Sequence, residues 1–183
     1  MSRKVFWLGA SVLLWAHVAL ASTGDRKDLQ IFNDIANTVN GYAQFTIFDA
    51  VGASVHDGNV TLTGKVTMPF KREDIEKRVA KVAGVRSVEN KIDVLPVSSF
   101  DDDLRYRVAR AIYGNSSFWT YAIMANPPIH IIVEHSRVTL TGVVNSEVER
   151  AQARALATRF GALSVTNDLK TDAEMREALE KGE

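Results

Sequence analysis

The chain has 183 residues, 46% of them apolar and 24% charged, the mix of a folded globular protein rather than a disordered one. Lysine plus arginine equals aspartate plus glutamate at 22 each, so the chain lacks the basic field that nucleic-acid binding requires. Cysteine is absent, which excludes a disulfide framework and a lipid-modified amino-terminal cysteine.

Arg3 and Lys4 precede an apolar stretch, Val5 to Leu20, that only His17 interrupts, and Ala19-Leu20-Ala21 has the A-x-A form of a cleavage site. The stretch is short for a spanning helix, which takes about 20 apolar residues. Residues 1–21 are therefore read as a secretory signal peptide cut after Ala21, the other reading being an uncleaved anchor. Cleavage leaves 20 basic and 22 acidic residues, a net charge of −2, and a periplasmic protein held together by its core alone.

Ile31, Ile35 and Val39 recur at i, i+4, i+8 and predict an amphipathic helix that stops at Gly41. Val51 to His56 reads as a strand, and Asp57-Gly58-Asn59 as a hairpin turn. In the next strand Val60, Leu62, Gly64 and Val66 share the inward face. A glycine among packing residues marks the close approach of another backbone, read here as a helix crossing the sheet. A second helix, Lys71 to Ala83, carries Ile75, Val79 and Val82 and meets Gly84; a last strand alternates Val88, Asn90, Ile92 and Val94.

The whole unit then repeats. Leu104, Val108 and Ile112 form a helix stripe ending at Gly114; Ile129 to Glu134 is a strand; Val138, Leu140, Gly142 and Val144 copy the glycine-bearing strand. His135-Ser136 stands where the first copy has Asp-Gly and is less typical turn chemistry. A helix from Ser146 to Phe160 is assigned Val148, Ala151, Ala155 and Phe160 as its stripe and ends at Gly161; Val165, Asn167 and Leu169 alternate in the final strand. The expected organisation is signal peptide 1–21, first domain 27–95, linker 96–102, second domain 103–171 and charged tail 172–183. The expected fold class is α+β: two tandem small α-β-β-α-β domains, each a three-stranded mixed sheet packed by two helices. The short linker implies that they touch.

These residues carry a family resemblance. The unit resembles the BON domain of bacterial envelope proteins through Val60, Leu62, Gly64, Val66, Gly84, Val85, Val88, Asn90 and Ile92, and through Val138, Leu140, Gly142, Val144, Gly161, Val165, Asn167 and Leu169. The second copy departs from the pattern at His135-Ser136 and at Ala162. The resemblance implies a non-enzymatic periplasmic binding module that contacts phospholipid or other envelope components, in osmotic or envelope stress protection. Its alternative is a protein-interaction or chaperone-like module for envelope proteins, working through open sheet edges.

Residue by residue, no catalytic or metal site emerges. His56, His130 and His135 lack chelating spacing, the serines have no nucleophile context, and no phosphate-cradling glycine loop is present, so no cofactor and no small-molecule substrate are expected. Gly64, Gly142, Gly84 and Gly161 read as structural. Asn90 and Asn167, among inward apolar positions, read as satisfying backbone groups beside the core. The stretch from Asn115 to His130 is five residues longer than its first-copy counterpart and carries Phe118, Trp119, Tyr121, Ile123 and Met124. Two readings stand: these side chains pack against the sheet or the other domain, the commoner fate of apolar residues, or the loop dips into lipid headgroups, which suits aromatics with a polar tip. The net negative charge predicts weak attraction to anionic lipid.

Overall fold

The computed structural model describes residues 23–181, so the segment read as a signal peptide lies outside the described residues. The first unit is α1 (Thr23–Asn40), β1 (Ala50–His56), β2 (Asn59–Val66), α2 (Pro69–Val79) and β3 (Ser87–Val94). The second is α3 (Ser99–Tyr113), a short α4 (Trp119–Ala122), β4 (Ile129–Glu134), β5 (Arg137–Val144), α5 (Glu147–Ala157) and β6 (Ser164–Thr171), followed by α6 (Asp172–Lys181). Each unit has one three-stranded sheet with the glycine-bearing strand central: β1 and β4 pair with it antiparallel, β3 and β6 parallel. The fold is thus α+β in two tandem copies, each sheet mixed and packed by helices.

Alternation sets what is buried. Val60, Leu62 and Val66 of β2 meet Ile31, Ile35 and Val39 of α1 and Ile75 and Val79 of α2; Val138, Leu140 and Val144 of β5 meet Leu104, Val108 and Ile112 of α3. One helix differs from its sequence reading. On α5 the buried residues are Ala153, Leu156 and Ala157, while Val148, Ala151 and Ala155 face solvent. Leu156 is the one long aliphatic side chain in the helix's second half, and a pair of alanines beside it lets the backbone lie close to the sheet. Asn167 fixes the rotation further, its amide donating to the Arg150 carbonyl at 2.9 Å. Asn90 does the same in the first unit, donating to the Arg72 carbonyl at 3.1 Å and accepting from Ile92 N–H at 3.1 Å.

The repeated glycine has a different neighbour from the one its pattern implies. Gly64 and Gly142 both sit at φ 116°, where L side chains do not go. A Cβ at Gly64 would stand 2.1 Å from the Ala50 carbonyl oxygen, and at Gly142 1.8 Å from that of Pro128. The close backbone is therefore the incoming edge of the antiparallel strand, not a crossing helix. Gly84 and Gly161 also hold positive φ, at 90° and 74°, in the turns that lead into β3 and β6.

The two hairpin turns are alike despite their sequences. Asp57 and Gly58 take φ of 50° and 76°; His135 and Ser136 take 50° and 61°. This left-handed pair is the two-residue turn that fits strand twist. In each copy an aspartate near the start of the first helix holds it: the Asp28 carboxylate accepts from the N–H groups of Asp57 (2.7 Å) and Gly58 (3.0 Å), and that of Asp101 from His135 (2.9 Å) and Ser136 (2.8 Å). Asp101 is buried, so these are strong charge-assisted bonds, and they offset the strain of two non-glycine residues at positive φ.

The units touch through the loop between α1 and β1. The Ile47 carbonyl accepts from Ile131 N–H at 2.7 Å on the edge of β4. Ile47 and Phe48 pack against the second core, Phe48 meets Tyr106 edge-on at 5.2 Å, and Lys65 pairs with Glu134. One residue shapes this loop. The fully buried Asp49 carboxylate accepts from Thr46 N–H (2.9 Å) and hydroxyl (2.8 Å), from Thr67 N–H (2.8 Å) and hydroxyl (2.9 Å), and from Lys71 Nζ (2.7 Å). Burial opposes its ionisation, but the bonds from Lys71, Thr67 and Thr46 outweigh that and hold the carboxyl below the usual carboxylate range.

The segment after β6 forms α6 and is joined to the second unit at its start. Thr171 and Glu174 form a reciprocal capping pair at the start of α6, and Arg150 of α5 binds the same Glu174 carboxylate at 3.0 Å.

Ser136→Gly should stabilise the protein by about 1 kcal/mol, because it relieves a left-handed strain that Gly58 avoids in the first copy; urea unfolding of the full chain measures it, and a loss of stability contradicts the strain. Asp49→Asn should cost about 3–5 kcal/mol by stranding the Lys71 ammonium, and Asp49→Leu with Lys71→Met should cost less than that single change. Both are read from the same unfolding curves.

Candidate functional site

The inserted segment divides sharply. Asn115 caps a short 3-10 turn, Ser116–Phe118, accepting from Ser117 N–H at 3.0 Å, and Gln152 of α5 reaches across to Asn115 and Ser117. From there one helical turn sets the side chains: Phe118 and Tyr121, at i and i+3, face inward, while Trp119 and Ile123, at i and i+4, face outward. Phe118 is fully buried and Tyr121 nearly so. The Tyr121 hydroxyl donates to Glu149 at 2.6 Å and accepts from Asn145 N–H at 2.9 Å. Burial, reinforced by the Glu149 carboxylate, pushes this phenol up to about 12. Trp119 and Ile123 are 67% and 74% exposed, and Met124 is 48% exposed. Of the five apolar side chains in the segment, two belong to the core and three form an outward apolar group.

From α3 through β6, residues 99–171 contain eight basic and seven acidic residues, and residues 27–95 contain nine of each. Near the segment, Arg110 on α3, Arg154 on α5 and Arg159 just after α5 are exposed, and no ion pair is found at them among the described residues.

At the junction of the units lies a small cavity of about 240 Å³, lined by Phe32, Val39, Phe45, Ala53 and His130. The His130 ring lies 5.4 Å from that of Phe45, and its Nδ1 is buried without a hydrogen-bond partner. Burial pushes this imidazole below its ordinary 6.5, while the Asp49 and Thr46 backbone and the Asp49 charge pull the other way. Sequence reasoning missed His130 as a junction residue, as it missed Asp49, Lys71, Asp28 and Asp101. Only the aspartate pair left a trace, one acid near the start of each first helix.

No three side chains of histidine, aspartate or glutamate come together to hold a metal among the described residues. His56 and His135 stand exposed at the two hairpin turns, remote from each other in sequence and in different sheets. Among the described residues no helix is long and apolar enough to cross a membrane.

Comparison with known families places the BON domain model on residues 32–96 and again on 101–173. Comparison with curated proteins gives no match. Among solved structures the chain is similar to the C-terminal domain of CdsD, the structural protein of the type III secretion system of Chlamydia trachomatis, at 15% identity over 84% of this chain and 70% of that one, with a TM-score of 0.34. A second structure of CdsD from the same secretion system matches at 15% identity over 82% of this chain and 97% of that one, with a TM-score of 0.29.

A histidine kept neutral by burial contributes stability that is full above its unfolded-state pKa and is lost as pH falls through that value toward the lowered folded one. Thermal stability should therefore fall as pH drops from about 7 to 5, and His130→Leu should flatten that dependence. An unchanged slope in the variant would remove His130 from the account.

Proposed function

The chain belongs to the BON-domain family, once in each half, and from that membership we propose that it is a non-enzymatic module that docks peripherally on phospholipid of the bacterial envelope. The second unit makes the contact, with Trp119, Ile123 and Met124 entering the headgroup region. The observation that carries this reading is the partition of the inserted segment. Its inward half is spent on the core, yet three large apolar side chains remain in solvent at real hydrophobic cost. Indole at the interface and arginines above it are the two ingredients of peripheral attachment. The proposal places the protein in the periplasm, exported through residues 1–21.

The protein-interaction alternative has less support. The outer edge of β3 carries Glu89, Lys91 and Asp93, and that of β6 carries Asp168 and Lys170, charges that discourage strand addition.

Co-sedimentation with phosphatidylglycerol vesicles tests the reading. Trp119→Ser should weaken binding by about thirtyfold, since burying a large aromatic contributes about 2 kcal/mol, and Ile123→Ser should weaken it less. Phosphatidylcholine vesicles and raised salt should each reduce binding through the arginines. Binding that ignores Trp119→Ser removes this segment, and recovery of one crosslinked protein without lipid shifts the case to the alternative.

A further inference from the structure

The second sheet offers a site that no lipid contact uses. Strand alternation turns Arg137, Thr139 and Thr141 of β5 away from the helices, and the parallel register sets them beside Ser164, Thr166 and Asp168 of β6. These side chains line a cleft of about 390 Å³, walled on the other side by the first unit through Ala50 and the Lys65–Glu134 pair. That volume falls in the range of small-ligand pockets, about 300–1,000 Å³.

The equivalent face of the first copy is partly closed on itself. There the Thr61 hydroxyl donates to Glu89 at 3.3 Å, Lys91 pairs with the same carboxylate at 2.9 Å, and the Ser87 hydroxyl donates to Asn59 at 2.7 Å. In the second copy the hydroxyls of Thr139, Thr141, Ser164 and Thr166 make no hydrogen bond among the described residues, and Arg137 and Asp168 make no ion pair there. The second copy thus leaves a row of donors and acceptors open inside a cleft.

We propose that this cleft binds a neutral polyhydroxylated ligand, a glycan chain. Its lining has two cations, Lys65 and Arg137, against two carboxylates, Glu134 and Asp168, so an anion gains no net attraction. Four hydroxyls with one guanidinium and one free carboxylate match vicinal diols, which both donate and accept. No aromatic ring lines the cleft, so affinity rests on hydrogen bonds alone and falls in the millimolar range. This face is opposite the helices that carry Trp119, so the inference stands apart from the lipid reading and each can fail alone.

Amide NMR titration of the full chain with chitotetraose and maltotetraose, two neutral glycans, tests it. Saturable shifts are expected at Thr139, Thr141 and Thr166 with at least one of them, and none at Trp119 or Ile123. Thr139→Val with Thr166→Val keeps strand-compatible side chains and should weaken binding by about tenfold, as the loss of two hydrogen bonds dictates. Arg137→Gln, at an exposed position, gives a second, independent loss. Inorganic phosphate should leave these amides unmoved. Absence of shifts with both glycans, shifts undiminished in both variants, or phosphate binding in the cleft would each overturn the proposal.

Discussion

A buried carboxylate organises the relation between the two halves. Asp49 has no solvent around it, and five donors converge on its two oxygens. They come from three places: the loop itself at Thr46, the end of β2 at Thr67, and the first turn of α2 at Lys71. The carboxylate therefore ties the loop to both the sheet and the helix of its own unit. With the loop fixed, Ile47 presents its carbonyl to the edge of β4, and Phe48 enters the second core. A flexible loop would have to surrender its backbone entropy at this contact; one already held by Asp49 has surrendered it within its own domain.

The fold was legible because its constraints are local and repeated. Alternation in β2 and β5, the i, i+4 stripes of α1 and α3, and glycine in the same place twice are periodic signals that two copies reinforce. Gly64 and Gly142 were recognisable as sites of close approach, but the sequence does not say whose backbone approaches, since a strand edge and a helix make the same demand. The rotation of α5 was not legible either. Val148, Ala151 and Ala155 and the set Ala153, Leu156 and Ala157 are both plausible stripes in an alanine-rich helix, and the bond from Asn167 that decides between them is long-range. The inserted segment was open for a related reason: α4 is a single turn, too short to display a period, so Phe118 and Trp119 look equivalent in the sequence. Asp49 has no second-copy partner, and nothing near it in the chain announces a buried ion pair.

Comparison of the copies separates what the backbone requires from what it leaves free. Where the chain must take a left-handed turn, both copies hold it by an aspartate of the first helix, and only the first also supplies a glycine. Where a helix must be fixed on the sheet, both supply asparagine. These are different or identical solutions to one geometric demand, and they leave the outer surfaces unconstrained. The copies diverge on those surfaces: one sheet face partly closed on itself against one left open, and a connection enlarged by five residues in the second copy.

The junction gives that divergence a consequence. Because the first unit docks on the edge of β4 through Ile47, it stands beside the open face of the second sheet and supplies Lys65 as a wall of the cleft. The first unit meets α3 at Tyr106 but leaves Trp119, Ile123 and Met124 exposed. The first copy thus acts as a buttress, and the second copy presents two chemically distinct surfaces, one apolar with arginines and one hydroxylated and charge-balanced. Loosening the Asp49 loop would cost the second surface its wall while leaving the apolar group of Trp119, Ile123 and Met124 where α4 holds it.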